Sequence, residues 1–240
     1  MPAKKTYRPD VVIMYGPPGS GKSTGASHYI DRFVPWMSSK VHLDVDRFVM
    51  ASESYKAAVK GLKKNDVTSR AAAFDRVLQT EGRTAFDAAV MAEFVVGNSF
   101  IVDVVGRPSL SRFNRYMRLV NGFNYSVHIV YMFVNTAAEL QQRLMVRYKH
   151  TGQPPAPPHI VQSALEDAPK TLKTFAALFN TNLRRLAVFD NSETSSYVNR
   201  DVFVYDAKVK TCTFLSGVTF PCGPPIATPS QHIAEQTRTR

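Results

Sequence analysis

Residues 16–23 read Gly16-Pro17-Pro18-Gly19-Ser20-Gly21-Lys22-Ser23 and fit the pattern G-x-x-x-x-G-K-S/T. The apolar run 11–15 precedes this loop and predicts a parallel strand that is buried on both faces. A helical pattern over 23–33 follows the loop and stops before Pro35. Strand, glycine-rich loop and helix are the context in which this pattern binds phosphate. The sequence therefore predicts a P-loop.

The residues of the loop have separate predicted roles toward a nucleoside triphosphate, ATP or GTP, and Mg²⁺. Glycines let successive N–H groups point at one phosphate cluster, and the helix that follows adds its positive end. Lys22 should reach the β- and γ-phosphates, and the Ser23 hydroxyl should bind Mg²⁺. The residues predicted to contact the nucleotide are Gly16, Pro17, Pro18, Gly19, Ser20, Gly21, Lys22, Ser23 and Thr24.

Strand patterns alternate with helical patterns along the rest of the chain. Further strands are predicted at 41–43, 100–105, 125–134 and 186–189, and helices over 50–96, 110–120, 137–150 and 159–179. This alternation predicts an α/β fold of the three-layer P-loop NTPase type, with a mostly parallel five-stranded sheet and helices on both faces. Alternating residues at 202–205 and 211–214 predict a C-terminal β-hairpin.

Composition and charge narrow the class of protein. Hydrophobic residues make up 44% of the chain and charged residues 20%, which predicts a packed core and excludes disorder for most of it. No apolar run approaches the roughly 20 residues that cross a bilayer, so we expect a soluble, cytoplasmic protein without a membrane partner. The two cysteines, Cys212 and Cys222, are expected to be reduced. A formal charge of +11 makes nucleic acid a candidate partner, with a solvated basic surface as the alternative.

Carboxylates follow the second predicted strand. Asp44 and Asp46 lie at its C-terminal end, the edge of the sheet where α/β proteins bind ligands. Two residues apart in an extended segment, they should point the same way. We predict Asp46 as the base that accepts the proton of the acceptor hydroxyl, with Asp44 supporting it or the metal. The alternative is that the pair caps the next helix.

Charged residues also follow the third strand and the predicted lid helix. Asp103 interrupts an apolar strand, where an unpaired carboxylate is costly, so we expect its partner to be Mg²⁺ through water or the acceptor. Arg107 follows at the end of that strand and should face the site. Arg143 and Arg147 lie four residues apart on one helical face and are candidates for a lid arginine that closes on the γ-phosphate.

These motifs, taken in order over residues 10–190, resemble the zeta-toxin family of P-loop kinases. The matching segments after the P-loop are Asp44-Val45-Asp46-Arg47-Phe48, Asp103 with Gly106-Arg107, Arg147-Tyr148 and Pro157-Pro158-His159. The resemblance implies a phosphotransferase that uses ATP or GTP and Mg²⁺. It also implies Asp46 as the base, with Lys22, Arg147 and Ser23 handling phosphate and metal. Members of the family that act as bacterial toxins phosphorylate the 3′-hydroxyl of UDP-N-acetylglucosamine.

The predicted activity is transfer of a γ-phosphoryl group to a hydroxyl of a small molecule such as a nucleotide sugar. Two alternatives stay open: a polynucleotide 5′-hydroxyl kinase, and a nucleic-acid-binding NTPase that has no small-molecule acceptor. In this interpretation 1–200 form a P-loop kinase domain, 201–222 a hairpin extension and 223–240 a flexible tail.

Overall fold

The computed structural model of the chain describes residues 8–37, 40–105, 110–178, 182–192, 202–206, 211–214 and 219–221. Its strands, in chain order, are β1 (Asp10–Gly16), β2 (His42–Leu43), β3 (Phe100–Val105), β4 (Ser126–Phe133), β5 (Leu183–Asp190), β6 (Val202–Asp206), β7 (Thr211–Phe214) and β8 (Thr219–Pro221). Its helices are α1 (Lys22–Phe33), α2 (Val45–Ala51), α3 (Glu53–Val59), α4 (Val67–Val77), α5 (Arg83–Val96), α6 (Leu110–Gly122), α7 (Ala137–Thr151) and α8 (Pro158–Leu178).

All these strands belong to one sheet, in the order β2-β3-β1-β4-β5-β6-β7-β8. The strands from β2 to β5 in that order are mutually parallel, which confirms the predicted five-stranded parallel sheet. The strands β6 to β8 are antiparallel, and β6 pairs with β5. The predicted C-terminal hairpin therefore extends the sheet, and β8 adds a strand to it. The proposed boundary at residue 200 stays a prediction, and Cys222 and 223–240 lie outside the described residues.

The central strand β1 is buried on both faces, as its continuous apolar run predicts. Val11, Ile13 and Tyr15 enter a core with residues of α5, α6 and α8. Val12 and Met14 enter a second core with residues of α1. Because successive strand residues point to opposite faces, one short run supplies both cores and the sheet lies between two helical layers.

The helices α2 to α4 form an insertion with a small core of its own. That core contains Val49, Tyr55 and Val77, each nearly inaccessible to solvent. The insertion also contacts α7, because the Tyr148 hydroxyl donates a hydrogen bond to the Lys64 carbonyl. This contact holds the end of α7 beside the insertion, at the connection between α3 and α4.

A buried polar cluster lies at the amino-terminal end of the central strands, opposite the P-loop. The His128 ring is fully buried and contacts the Tyr29 hydroxyl at 2.8 Å and Asp10 Oδ1 at 3.2 Å. Asp10 also accepts hydrogen bonds from Trp36 Nε1 and Arg184 Nη1. These contacts tie α1 and its following turn to the start of the sheet. In the described part of the chain, no helix combines the length and apolar character that a membrane span requires.

Candidate active site

The P-loop follows β1 directly, and its glycines leave no room for side chains. A Cβ atom on Gly19 would lie 2.9 Å from the backbone oxygen of Leu140 in α7, and Gly19 has a φ of +81°. A Cβ atom on Gly21 would lie 2.3 Å from Asn191 Nδ2, and Gly21 has a φ of +87°. Both positions combine close packing with a backbone conformation that favours glycine. The loop is therefore shaped by α7 on one side and by the end of β5 on the other.

The loop leads into the N-terminus of α1, which is open to an anion. Gly21 caps this helix without a side-chain hydrogen bond, so the first-turn N–H groups keep their donor capacity. Ser23 and Thr24 are exposed in the first turn. Lys22 Nζ donates to the carbonyls of Gly16 and Pro17, each at 3.1 Å, which places the ammonium over the loop. Such a helix N-terminus is suited to bind phosphate.

Lys22 also faces a group of carboxylates. Burial lowers the pKa of Lys22, and the carboxylates of Asp103, Asp44 and Asp46 oppose that shift. These acidic residues come from β3 and from the segment after β2, at the carboxyl ends of neighbouring strands. The structure thus brings together Lys22 and the three predicted acidic residues, as expected for parallel strands that end at one edge.

The backbone around Asp44 and Asp46 differs from the prediction. The expectation of an extended segment is wrong, because α2 begins at Val45 and Asp46 lies in its first turn. The Asp44 carboxylate accepts a hydrogen bond from the Asp46 N–H at 3.0 Å and so caps the helix. A short acidic side chain at this position satisfies an N–H group that has no partner within the helix. Asp44 therefore caps the helix α2, which was the alternative prediction for this pair of residues.

Asp46 itself points at α7 and the loop after it. Asp46 Oδ2 accepts a hydrogen bond from Gln153 Nε2 and lies 4.0 Å from Arg147 Nη2. Burial and the neighbouring Asp44 raise the pKa of Asp46 to about 6, although Arg147, Lys22 and Gln153 favour its ionised form. A carboxylate with this pKa can accept a proton near neutral pH.

Asp103 has a protein partner that its strand pattern did not indicate. Its Oδ1 lies 2.6 Å from Nε2 of His42, and the two side chains are only 7% and 16% exposed. The neighbouring strand β2 thus supplies the partner of this carboxylate. A further contact of Asp103 with Mg²⁺ or an acceptor stays a prediction. Arg107 lies outside the described residues, so its predicted place in the site also stays a prediction.

The two candidate lid arginines have different partners. Arg147 faces Asp46, and its buried Nε has no hydrogen-bond partner among the described residues. Arg143 donates to Glu139 and to the Asn191 carbonyl. Of the two arginines, Arg147 is therefore the one that lies beside Asp46, whereas Arg143 joins α7 to the end of β5. The role of a lid arginine stays a prediction.

Comparisons with known proteins identify the family of the chain. The family model for zeta toxins matches residues 2–202. The chain belongs to the zeta toxin family. No curated protein sequence matches the chain.

Solved structures share the fold of this zeta toxin family member. A chain in the crystal structure of AvrRxo1-ORF1:AvrRxo1-ORF2 with sulphate ions superposes with a TM-score of 0.59 at 13% identity, covering 96% of this chain and 64% of that one. The structure of the same complex with ATP gives 0.57 at 12% identity, with 96% and 64% covered. A chain of the PezAT toxin–antitoxin system of Streptococcus pneumoniae gives 0.52 at 14% identity, with 78% and 70% covered. This chain thus spans under two thirds of the AvrRxo1 chain.

Three site residues of this zeta toxin family member were missed by the sequence patterns: His42, Gln153 and Asn191. His42 contacts Asp103, and Gln153 contacts Asp46. Asn191 Nδ2 donates to the buried Ser20 carbonyl at 2.7 Å and so supports the P-loop from behind. Only Asn191 had a usable signal, because it directly follows a strand at the carboxyl edge of the sheet.

Replacing Asn191 by Ala is expected to destabilise the protein by about 1–3 kcal/mol, because it leaves the buried Ser20 carbonyl without its donor. Chemical denaturation measures the change. The matched control is Asn98→Ala, which removes an exposed amide that donates to Glu93 and should change stability by less than about 0.5 kcal/mol. Equal stability of the two variants would show that the amide does not support the P-loop.

Proposed function

We propose that this protein is a kinase that transfers the γ-phosphoryl group of ATP or GTP to a hydroxyl group of a small molecule. One observation carries the proposal: the Asp46 carboxylate lies beside Arg147 and within the field of the P-loop Lys22. Phosphoryl transfer requires a base near the acceptor and cations near the phosphates. This arrangement supplies both at one edge of the sheet.

In the proposed step, the acceptor hydroxyl gives its proton to Asp46 as its oxygen bonds to the γ-phosphorus. The bond from the γ-phosphorus to the β,γ-bridging oxygen breaks, and the nucleoside diphosphate leaves. Lys22 and Arg147 stabilise the charge on the transferred group, because fixed cations are most effective in a site that excludes water. Arg147 offers its forked N–H donors, including a buried Nε that has no partner among the described residues.

The residues at the site fit a bound Mg²⁺. Mg²⁺ usually keeps several waters and takes one or two protein oxygens together with the phosphates of the nucleotide. The Ser23 hydroxyl is exposed in the first turn of α1, next to the loop that would hold those phosphates. We propose Ser23 as the protein ligand. The bound ion would supply positive charge that neutralises the phosphate oxygens.

The proposed acceptor is a small molecule with a free hydroxyl, such as a nucleotide sugar, and the family resemblance supports that class. The AvrRxo1 complex with ATP supports ATP as the donor, and GTP is the second candidate. The charge of +11 favours two alternatives, a polynucleotide 5′-hydroxyl kinase and a nucleic-acid-binding NTPase. Binding of nucleic acid depends steeply on salt because many phosphates are contacted, whereas a small acceptor with few phosphates gives a shallower dependence.

The test of the proposed function is a labelling experiment. The purified protein is incubated with Mg²⁺ and γ-labelled ATP or GTP, either alone, with a panel of nucleotide sugars, or with 5′-hydroxyl RNA and DNA. Label on a nucleotide sugar supports the proposal, and label on RNA or DNA supports the polynucleotide kinase. Label that appears only as free phosphate would contradict the proposed kinase and indicate an NTPase instead.

The rate of transfer is expected to depend on pH through Asp46. The base must be ionised, and burial raises its pKa to about 6. Activity should therefore fall as the pH drops through about 6, rather than near the ordinary value of 3.8 for Asp. Initial rates of transfer between about pH 5 and pH 8, at constant ionic strength, measure this fall, which is the acid limb of the pH–rate profile. A flat profile across this range would contradict Asp46 as the base.

A further inference from the structure

We propose that Gln153 is a positioning residue, which holds the Asp46 carboxylate in the orientation that proton transfer requires. The inference rests on the proposed function, because it assigns Asp46 the role of base. Gln153 itself touches neither the phosphates nor the acceptor in this proposal. It acts through Asp46, and the loop 152–157 acts as the support that keeps it in place.

The contact joins parts of the chain that are far apart in sequence. Gln153 Nε2 donates to Asp46 Oδ2 across a separation of 107 residues. Arg147 Nη2 approaches the same oxygen at 4.0 Å. Among the described residues, no hydrogen bond reaches Asp46 Oδ1. The hydrogen bond from Gln153 and the ion pair with Arg147 therefore both involve Oδ2, and Oδ1 is left to accept the proton of a hydroxyl group.

The loop that carries Gln153 is held at both ends. Gly152 ends α7 with a φ of +72°, and its N–H donates to the Tyr148 carbonyl at 2.8 Å. The Gln153 N–H donates to Thr151 Oγ1 at 3.2 Å. Farther along, Gln141 Nε2 of α7 donates to the Ala156 carbonyl at 3.4 Å. The loop is thus attached to α7 on both sides of Gln153.

Prolines add stiffness to the same loop. Positions 154, 155 and 157 are proline, and Pro158 begins α8. Each pyrrolidine ring fixes φ, so the loop loses little further freedom when it takes its place. A rigid support lowers the entropic cost of holding a side chain in one geometry. This explains why so short a loop can orient a carboxylate on a different element.

The chemistry of an amide suits this position. A carboxamide N–H donates to the ionised carboxylate without adding charge, so Asp46 is oriented and remains basic. A Glu at this position would repel Asp46 and Asp44. An Ala would leave the carboxylate free to rotate, with Arg147 as its remaining neighbour on that side. Gln153→Ala and Gln153→Glu therefore test orientation and charge separately.

The first measurement needs no acceptor and follows the Asp46 carboxyl carbon by NMR in protein labelled with ¹³C at Asp. The Asp46→Asn variant assigns the signal. The wild-type midpoint is expected at about 6. We expect the midpoint to rise by about one pH unit in Gln153→Ala and further in the isosteric Gln153→Glu. A midpoint that is unchanged in both variants would overturn the inference.

The second measurement separates kcat from KM, with γ-labelled ATP and the acceptor that takes label in the wild type. Gln153→Ala should lower kcat about tenfold, leave the KM for ATP unchanged and move the acid limb upward. The control is Gln162→Ala, which removes an exposed amide of α8 that donates to Glu166 and should change none of these quantities.

The Asp46→Asn variant distinguishes the two hypotheses. If it transfers phosphate normally, the proposed role of Asp46 fails, whatever Gln153 does. If it is inactive while Gln153→Ala keeps the wild-type kcat and pH profile, the inference alone fails. A drop in kcat that accompanies a wild-type midpoint and a lower melting temperature would show that Gln153 is merely structural, and this too would overturn the inference.

Discussion

Replacing Asp46 by Asn is expected to lower phosphoryl transfer by about 10²- to 10⁴-fold, because an amide cannot accept the proton of the acceptor hydroxyl. Asn has the shape of Asp and retains an oxygen toward Arg147, so the site should keep its geometry. Nucleotide affinity should be unchanged or higher, since a negative charge near the phosphates is removed. Single-turnover transfer and titration calorimetry with ATP and Mg²⁺ measure the two quantities.

The same variant should be more stable than the wild type at neutral pH. Burial raises the pKa of Asp46 from 3.8 to about 6 in the folded protein. The folded state therefore holds this proton more tightly than the unfolded state, and ionised Asp46 costs stability as the pH rises through that interval. Asn carries no charge and avoids the cost. Residues that lower activity and raise stability when replaced are typical of functional sites.

The control for this prediction is Asp75→Asn, which changes an exposed carboxylate on α4 that accepts a hydrogen bond from Gln79. It should alter neither transfer nor stability by a measurable amount. Transfer by Asp46→Asn within about threefold of the wild type would exclude Asp46 as the base. Asp44 would then be the next acidic residue to examine, because it also lies beside Lys22.

The central part of the fold could be predicted because its signals are local. The P-loop pattern, the apolar run before it and the helical pattern after it lie within one short segment. The central strand β1 is buried on both faces and therefore reads as a continuous apolar run. Parallel strands also bring their carboxyl ends to one edge, so Lys22, Asp46 and Asp103 could be placed together without knowledge of any contact.

The backbone after β2 could not be predicted with the same success, because two local rules compete there. A strand that continued through Asp44 would place Asp44 and Asp46 on one face. An Asp at the start of a helix is also a preferred cap. The structure follows the second rule, since the Asp44 carboxylate accepts the Asp46 N–H. A two-residue strand gives the apolar pattern too few positions to indicate where it ends.

The hydrogen-bond partners of the candidate site residues could not be predicted, because they come from distant segments. His42 and Asp103 are 61 residues apart and meet only because β2 and β3 pair in one register. Asn191 and Ser20 are 171 residues apart. Neither pair has a local motif, and each contact depends on side-chain positions that only the folded chain defines. The sequence thus predicts that Lys22, Asp46 and Asp103 lie close together, and the tertiary structure determines which side chains hold them.

Replacing Lys22 by Ala is expected to weaken nucleotide binding and to lower phosphoryl transfer by about 10²- to 10³-fold, because the P-loop loses the cation that faces the transferred group. Lys22 is also the ammonium group that faces Asp103, Asp44 and Asp46. Its loss should raise the pKa of Asp46 further and move the acid limb of any residual activity upward. Calorimetry with ATP and the pH profile of transfer measure these effects.

The control for Lys22 is Lys56→Ala, which removes an exposed ammonium that pairs with Glu53 on α3. It should leave nucleotide affinity and phosphoryl transfer unchanged.

Together, Lys22→Ala and Asp46→Asn separate the candidate functions. A kinase loses transfer in both variants, and an NTPase without an acceptor loses turnover mainly in Lys22→Ala. A protein that binds nucleic acid only through its basic surface keeps its affinity for nucleic acid in both variants. Phosphoryl transfer by Lys22→Ala at the wild-type rate would contradict the proposed kinase mechanism, because Lys22 is the cationic residue of the P-loop, 16–23.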